Sequence, residues 1–330
     1  MARTEDGEDS ADESVNRAFK GLGLTREFFS AVFDRNSIDD RGMRLDGYVH
    51  RGRNYNNAFW DGREMVFGDG DGVLFADFTA SLDVIAHELA HGVTEHVAGL
   101  VYSMQPGALN ESMSDVFGSL VKQWALGQTA EQADWLIGAE IFTPGVGADA
   151  LRSMKALGKA YDNPRFGKDP QPDHMGKFVQ LPDTEDGDFG GVHINSGIPN
   201  KAFYVVAMEI GGPAWDAPGH IWYEALKASN EKTQFQQFAD ATYLKAGQLY
   251  GTGSAQQQAV VEGWREVGLR ISGVPVAAGT GAGRARKPAP AGGGAGREAD
   301  GLAALKNQIE ALATQVKALS KEVAAIKERA

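Results

Sequence analysis

The residues best suited to chemistry in this chain are His87, Glu88 and His91, set in the run His87-Glu88-Leu89-Ala90-His91. On an α-helix, positions i and i+4 stand one above the other on the same face. Two imidazoles so placed can hold one zinc ion, and the glutamate beside the first points toward the coordination space where a water would sit. The implied chemistry is hydrolysis, in which a metal acidifies a water and a carboxylate takes its proton. The bare pattern arises by accident in roughly one chain of this length per hundred, and most lone histidines serve the surface or a hydrogen-bonded core. The reading therefore needs a third ligand and a polarising shell.

Both stand downstream. Asn110-Glu111-Ser112-Met113-Ser114-Asp115 opens a second helical pattern, with Val116, Phe117, Leu120 and Val121 as its buried stripe. A catalytic zinc takes three protein ligands and keeps one open position, and two histidines with a glutamate are a standard set, so Glu111 is the candidate third ligand. Asp115, one turn later on the same face, is placed to accept the free N–H of a zinc-bound histidine. Singly, each acid reads as a solvated helix face. Their conjunction with the first helix changes that reading.

The elements that must position these groups are legible. Ser81 as N-cap, Asp83 in the first turn, and the stripe Leu82, Ile85, Leu89 and Val93 predict a helix over 81–96. Further helices are predicted at 14–19, 26–33, 108–125, 197–210, 221–228, 235–250 and 255–267. The predicted architecture is two-lobed α+β. A small strand-containing N-terminal lobe leads into the zinc helix on the cleft floor, and a mostly helical lobe follows.

The chain resembles the thermolysin family of neutral metallopeptidases, and within it the protealysin-like subgroup, from about Phe19 to about Leu269. The blocks Asn54-Tyr55-Asn56-Asn57-Ala58-Phe59-Trp60, His87 to His91, Gly107-Ala108-Leu109-Asn110-Glu111, Leu151-Arg152-Ser153-Met154 and Gly190-Gly191-Val192-His193-Ile194-Asn195-Ser196-Gly197 match in order. His91 and Glu111 stand at the family spacing. The resemblance implies a zincin fold and a zinc endopeptidase that cuts before apolar residues. It assigns Tyr102 and His193 to the oxyanion, Asp188 to holding His193, and Arg152 to a substrate carbonyl beyond the cut. Asn57 and Ala58 become the segment that bonds the peptide backbone, and Val84 and Leu151 line an apolar pocket. Without the family, Arg152 reads as a surface cation, Tyr102 as core, and His193 as a lone histidine in a glycine-rich loop.

One departure stands out. Many relatives hold a pair of calcium ions near the zinc; here Lys122, Leu136 and Ala139 occupy three of the acid positions, while Asp83, Asp134 and Glu140 remain. An ammonium among the surviving carboxylates would replace one cation's charge, and the oxygens are too few for two calcium ions. The double site is expected to be lost, leaving at most one weak calcium. Gly68-Asp69-Gly70-Asp71-Gly72 lacks the glutamate that closes an EF-hand loop, so it reads as a glycine-rich turn before a strand Val73-Leu74-Phe75.

Across 330 residues, 42% hydrophobic composition is ordinary for a globular enzyme. A net charge of −12 argues against a nucleic-acid-binding surface, and zero cysteines exclude disulfides and a thiol nucleophile. No apolar run reaches membrane-spanning length. Residues 1–14 are acidic and polar, read as disordered, with no secretory signal. The lobe is taken as 15–96 including the zinc helix, and the catalytic helical lobe as 97–271. Relatives carry a propeptide and more sheet ahead of this stretch, so the lobe is expected to be shortened, by natural trimming or by a start assigned too late. Secretion is implied by the resemblance, against cytoplasmic placement or another export route.

Residues 272–300 are rich in Gly, Ala and Pro, a flexible linker whose Arg284-Ala285-Arg286-Lys287 reads as solvated. In 301–330, Leu302, Leu305, Ile309, Leu312, Val316, Leu319, Val323 and Ile326 form a heptad seam. It predicts a coiled-coil helix and a homo-oligomer, against an amphipathic helix folding back on the enzyme. Two partners follow from the peptidase reading: polypeptide substrates and a proteinaceous inhibitor. The alternative is a non-catalytic module of the same fold, displayed on the coiled coil to bind peptides or an inhibitor.

Overall fold

A computed structural model describes residues 1–164 and 167–274; the predicted coiled coil and all but the start of the linker lie outside the described residues. The first helix, α1 (Glu13–Phe33), is capped by Asp12, whose carboxylate accepts the Ser14 N–H at 2.9 Å. Two separate helices are predicted here, at 14–19 and 26–33, but the structure has one. Gly21 is a point of close approach: a Cβ there would lie 2.5 Å from Ile85 Cδ1 in the next long helix. That packing offsets the roughly 1 kcal/mol a mid-helix glycine costs. Where composition predicts a disordered acidic end, the structure lays the first residues against α1. The Arg3 guanidinium sits 4.3 Å over the Phe19 ring and donates to Asn16 Oδ1 at 2.8 Å.

A three-stranded sheet follows, built from β1 (Asp46–Tyr48), β2 (Ala58–Trp60) and β3 (Glu64–Phe67) in the order β1-β3-β2. The strands β1 and β3 run parallel, while β2 is antiparallel to β3 and forms an edge. The predicted strand at 73–75 shrinks to one bridge between Phe75 and Phe142. Its cause is Asp71, whose Oδ1 accepts the N–H groups of Val73, Leu74 and Phe75 at 2.8, 2.7 and 3.1 Å. Those donors wind the chain into a turn and are lost to any ladder.

The helices α2 (Leu82–Val97) and α3 (Met104–Leu126) pack along one another at the centre of the molecule. Ser81 takes the N-cap position, but its hydroxyl bonds Asp83 and Glu140 side chains rather than the helix backbone. Gly118 lets the two helices touch, since a Cβ there would lie 2.5 Å from the Asp83 carbonyl oxygen. Glu111 lies two turns before Gly118, and His87 one turn after Asp83, so this contact sets the distance between the predicted ligands. Val84, Ile85, Leu89, Val93, Val116, Phe117, Leu120 and Val121 are buried around it. Each such side chain contributes about 1.5–3 kcal/mol on burial.

Short pairs β4 (Leu136–Ile137) with β5 (Arg152–Ser153), and β6 (Asp162–Asn163) with β7 (Gly167–Lys168), cross the following segment. The helical half comprises α4 (Asp188–Asn195), α5 (Gly197–Ile210), α6 (Ala217–Lys227), α7 (Phe235–Tyr250) and α8 (Ala255–Glu266). The bounds of α5 and α7 are those predicted; α6 starts earlier, with Pro218 in its first turn. Phe29 and Phe33 of α1 meet Phe117 of α3 and Tyr223 of α6, with Phe33 and Tyr223 centroids 4.5 Å apart. No described helix is long and apolar enough to cross a membrane.

Candidate active site

One turn and a half of α2 presents His87 and His91 to the start of α3. Their Nε2 atoms lie 3.2 Å apart, and Glu111 carboxylate oxygens stand 3.5 Å from each. One donor atom from each of the three falls within 4.8 Å of the others. His87 and Glu111 are buried, at 5% and 1% exposure, and Glu111 Oε2 has no hydrogen-bond partner. A buried carboxylate oxygen without a donor is costly unless a cation meets it, so the donor set fits zinc.

The tautomers are fixed from behind. Asp115 Oδ1 accepts His87 Nδ1–H at 2.9 Å, and Asn110 Oδ1 accepts His91 Nδ1–H at 2.7 Å. A carboxylate can only accept, so His87 must donate from Nδ1, which makes Nε2 the nitrogen that faces Glu111 and the metal position. The residues of this outer layer other than Asp115 escape a reading of single positions. Asn110 is signalled only by its place beside Glu111, and it is oriented by donating to the Leu100 carbonyl at 3.2 Å.

Burial disfavours a charged His87, but the hydrogen bond to Asp115 and the negative charge of Asp115 and Glu111 outweigh it and raise its pKa to about 10. Burial likewise opposes ionisation of Glu111, yet His193, His91 and His87 hold it well below the ordinary carboxylate range. Asp115 stays ionised despite burial, with a pKa of about 2, because Arg152 and His87 face it. The pocket is therefore one that holds positive charge, and a metal ion and protons compete for it.

Tyr102 and His193 come to the same place from different elements. The Tyr102 hydroxyl donates to Glu111 Oε1 and lies 3.1 Å from His193 Nε2. His193 belongs to α4, which the glycine-rich sequence conceals. Phe189, Gly190 and Gly191 all adopt positive φ inside it, a kink that turns Asp188 back onto its neighbour five residues on. Asp188 Oδ1 meets His193 Nδ1 at 2.5 Å, and Oδ2 accepts the His193 backbone N–H at 2.9 Å. Partial burial opposes charge on the ring, but Glu111 and Asp188 raise its pKa to about 9.

Arg152, on β5, turns out to be no surface cation. Its Nε and Nη2 bond Asp115 Oδ2 and Oδ1 at 2.8 and 2.7 Å, so the fork faces inward and Nη1 is left outside it. Glu88 is half-buried, and its charge is felt at both Arg152 and Tyr102. Val84 and Leu151 converge on Gly138: a Cβ there would lie 3.4 Å from Val84 Cγ2 and 2.9 Å from Leu151 Cδ1. Immediately before β2, the Asn57 carbonyl accepts the Gly68 N–H at 3.0 Å, so by alternation the N–H and C=O of Ala58 point away from β3.

This fold and site define a metallopeptidase. Residues 5–95 match the family model for the thermolysin metallopeptidase catalytic domain, and 98–269 that for its alpha-helical domain. The match starts at residue 5, ahead of Phe19, from which the sequence resemblance runs. The chain is 49% identical over 273 residues to an extracellular metalloprotease of Pectobacterium carotovorum subsp. carotovorum, spanning 82% of this chain and 77% of that one. It is 48% identical to the protease PrtS of a Photorhabdus species, spanning 82% and 72%. The solved precursor of protealysin, a metalloproteinase from Serratia proteamaculans, superposes with a TM-score of 0.78 at 50% identity, over 81% of this chain and 82% of that one. The chain belongs to the thermolysin metallopeptidase family as a protealysin-like member, and it is a zinc metalloendopeptidase.

Proposed function

We propose that this chain cuts internal peptide bonds on the N-terminal side of apolar residues, using a water deprotonated by Glu88. The observation that carries the proposal is the convergence of His87, His91 and Glu111 donor atoms within 4.8 Å, on the helix that bears Glu88. Zinc held by these three would supply a Lewis acid and an acidified water. Glu88 accepts the proton of the attacking water and passes it to the leaving amine. His193 and Tyr102 donate to the carbonyl oxygen as it gains charge, an interaction stronger at the barrier than in the bound substrate. Asp188 keeps His193 protonated and aimed. Arg152 offers Nη1 to the carbonyl beyond the cut, while Asp115 holds the rest of its fork.

The substrate joins as a strand along the open edge of β2, at Asn57 and Ala58. Its residue after the cut enters between Val84 and Leu151, where the absent side chain of Gly138 leaves room. We also propose that Lys122 stands in for calcium. Its Nζ lies 3.0 Å from Asp83, 3.3 Å from Asp134 and 3.0 Å from Glu140, which supports loss of the double site. The changeover between family models at 95 and 98 supports lobes at 15–96 and 97–271. The name of the Pectobacterium relative supports action outside the cell, and the heptads at 301–330 support a homo-oligomer, checked by sedimentation of the full chain.

A quenched peptide library, with wild type beside Glu88→Ala and zinc measured in both, tests the main proposal. Cleavage before Leu, Phe or Ile by wild type alone is expected. If both proteins hold zinc and neither cleaves, the protein is a peptide- or inhibitor-binding module instead.

A further inference from the structure

Asp115 has a fourth hydrogen bond that the chemistry described so far does not use. Its Oδ1 accepts His87 Nδ1 at 2.9 Å and Arg152 Nη2 at 2.7 Å; its Oδ2 accepts Arg152 Nε at 2.8 Å and Asn200 Nδ2 at 2.8 Å. Two oxygens offer about four acceptor sites, so the carboxylate is saturated. The fourth donor comes from the first turn of α5 and is completely buried, as Asp115 is. Its orientation is settled by chemistry. A carboxylate only accepts, so the Asn200 nitrogen must face Asp115 and the amide oxygen must face away. That oxygen accepts the Ser112 hydroxyl at 2.8 Å, and Ser112 is 1% exposed beside Glu111 on α3. The amide is thus pinned at both ends between α3 and α5.

We infer that Asn200 is a positioning residue for the metal ligand His87, acting through Asp115. The inference rests on the zinc reading of His87, His91 and Glu111. Three donors from His87 and Arg152 leave one acceptor site of the Asp115 carboxylate, on Oδ2, for a group from α5. Asn200 fills that site, and so helps hold the carboxylate in the orientation that accepts the His87 Nδ1–H. The same carboxylate orients Arg152, so one buried amide sets both the ligand ring and the arginine beside it. Outer partners of metal-binding histidines typically control affinity by 10- to 100-fold when removed.

The test is zinc affinity by chelator competition, on the full chain, with the melting temperature of the zinc-free protein measured alongside. Asn200→Leu keeps the volume but removes the donor, so a role in packing alone leaves zinc affinity unchanged. Positioning predicts about 10- to 100-fold weaker zinc binding, with kcat/KM lowered in step even at saturating zinc. Zinc affinity within twofold of wild type overturns the inference. If Asn200→Leu does not fold, Ser112→Ala decides: it keeps Asn200 but frees its amide to turn, and zinc binding weakened beyond twofold supports the inference while no change overturns it. His87→Ala, run in parallel, separates the two readings. Undiminished zinc affinity there fails the ligand assignment itself, whereas lost affinity there with intact affinity in Asn200→Leu fails only the inference.

Discussion

Two buried carboxylates meet successive turns of α2, Asp83 on the helix itself and Glu111 facing it from α3, and they are neutralised in opposite ways. At the first turn, Asp83, fully buried, meets the ammonium of Lys122 at 3.0 Å, with Asp134 and Glu140 completing the shell. One turn on, Glu111 is just as buried, but its nearest cationic groups are imidazoles, and Oε2 has no hydrogen-bond partner. The first cluster carries a cation covalently tied to α3. The second presents converging lone pairs to a cation that can come and go. A tethered charge serves stability, because it cannot dissociate; an exchangeable one leaves an open coordination position, which catalysis needs.

The largest effects should come from removing the exchangeable cation. Stripping zinc with a chelator is expected to abolish cleavage and lower the melting temperature, and added zinc should restore both. At a hundredfold excess over its Kd, a bound ion stabilises by about 2.7 kcal/mol. The contrast breaks if a calcium-selective chelator lowers the melting temperature equally. Next, Glu88→Ala should lower kcat/KM by about 10²–10⁴-fold while zinc content stays at the wild-type value. Loss of zinc in that variant would make Glu88 part of the metal site and not its base.

On the other side, Lys122→Met leaves Asp83 buried without its ammonium. Urea unfolding should show a loss of about 3–5 kcal/mol, with zinc still bound in the folded protein. An unchanged midpoint would mean that the tethered cation contributes nothing to stability. Leu151→Ala should be milder, costing about 1–3 kcal/mol in discrimination for a large apolar residue after the cut, read from kcat/KM on paired peptides.

The smallest effect concerns a third acid, Asp71, which needs no cation at all. Burial works against its charge, but Asn56 and three backbone N–H groups hold its pKa down to about 2. A depressed carboxylate stabilises the fold above its unfolded pKa and loses that contribution as pH falls through its folded value. The melting difference between wild type and Asp71→Asn should therefore be full above about pH 4 and fade toward pH 2. Thermal melts across that range check it.

Much of the site was legible because its parts lie close in sequence. His87, Glu88 and His91 share one helix, so periodicity alone sets their geometry. Glu111 and Asp115 share the next, and the helices themselves carry clear apolar stripes. What escaped was whatever depends on contacts between distant segments. The single helix α1 reads as two, at 14–19 and 26–33, until Ile85 is seen packed against Gly21. The kink in α4 looks like a loop until Asp188 is seen holding His193. Asn200 stands 85 positions from Asp115, and no local pattern links them.

The sequence by itself determined the candidate donor set, the candidate base and the helices that bear them, because each follows from residue type and a repeat of a few positions; the place of Lys122 among Asp83, Asp134 and Glu140 was legible only through the family resemblance. Only the tertiary structure decided how close α2 and α3 approach at Gly118, which nitrogen of each histidine is left for metal, and that the Arg152 fork turns inward. Those are questions of distance between elements, and packing settles them: a missing Cβ, a saturated carboxylate and a buried amide have no signature along the chain until it is folded.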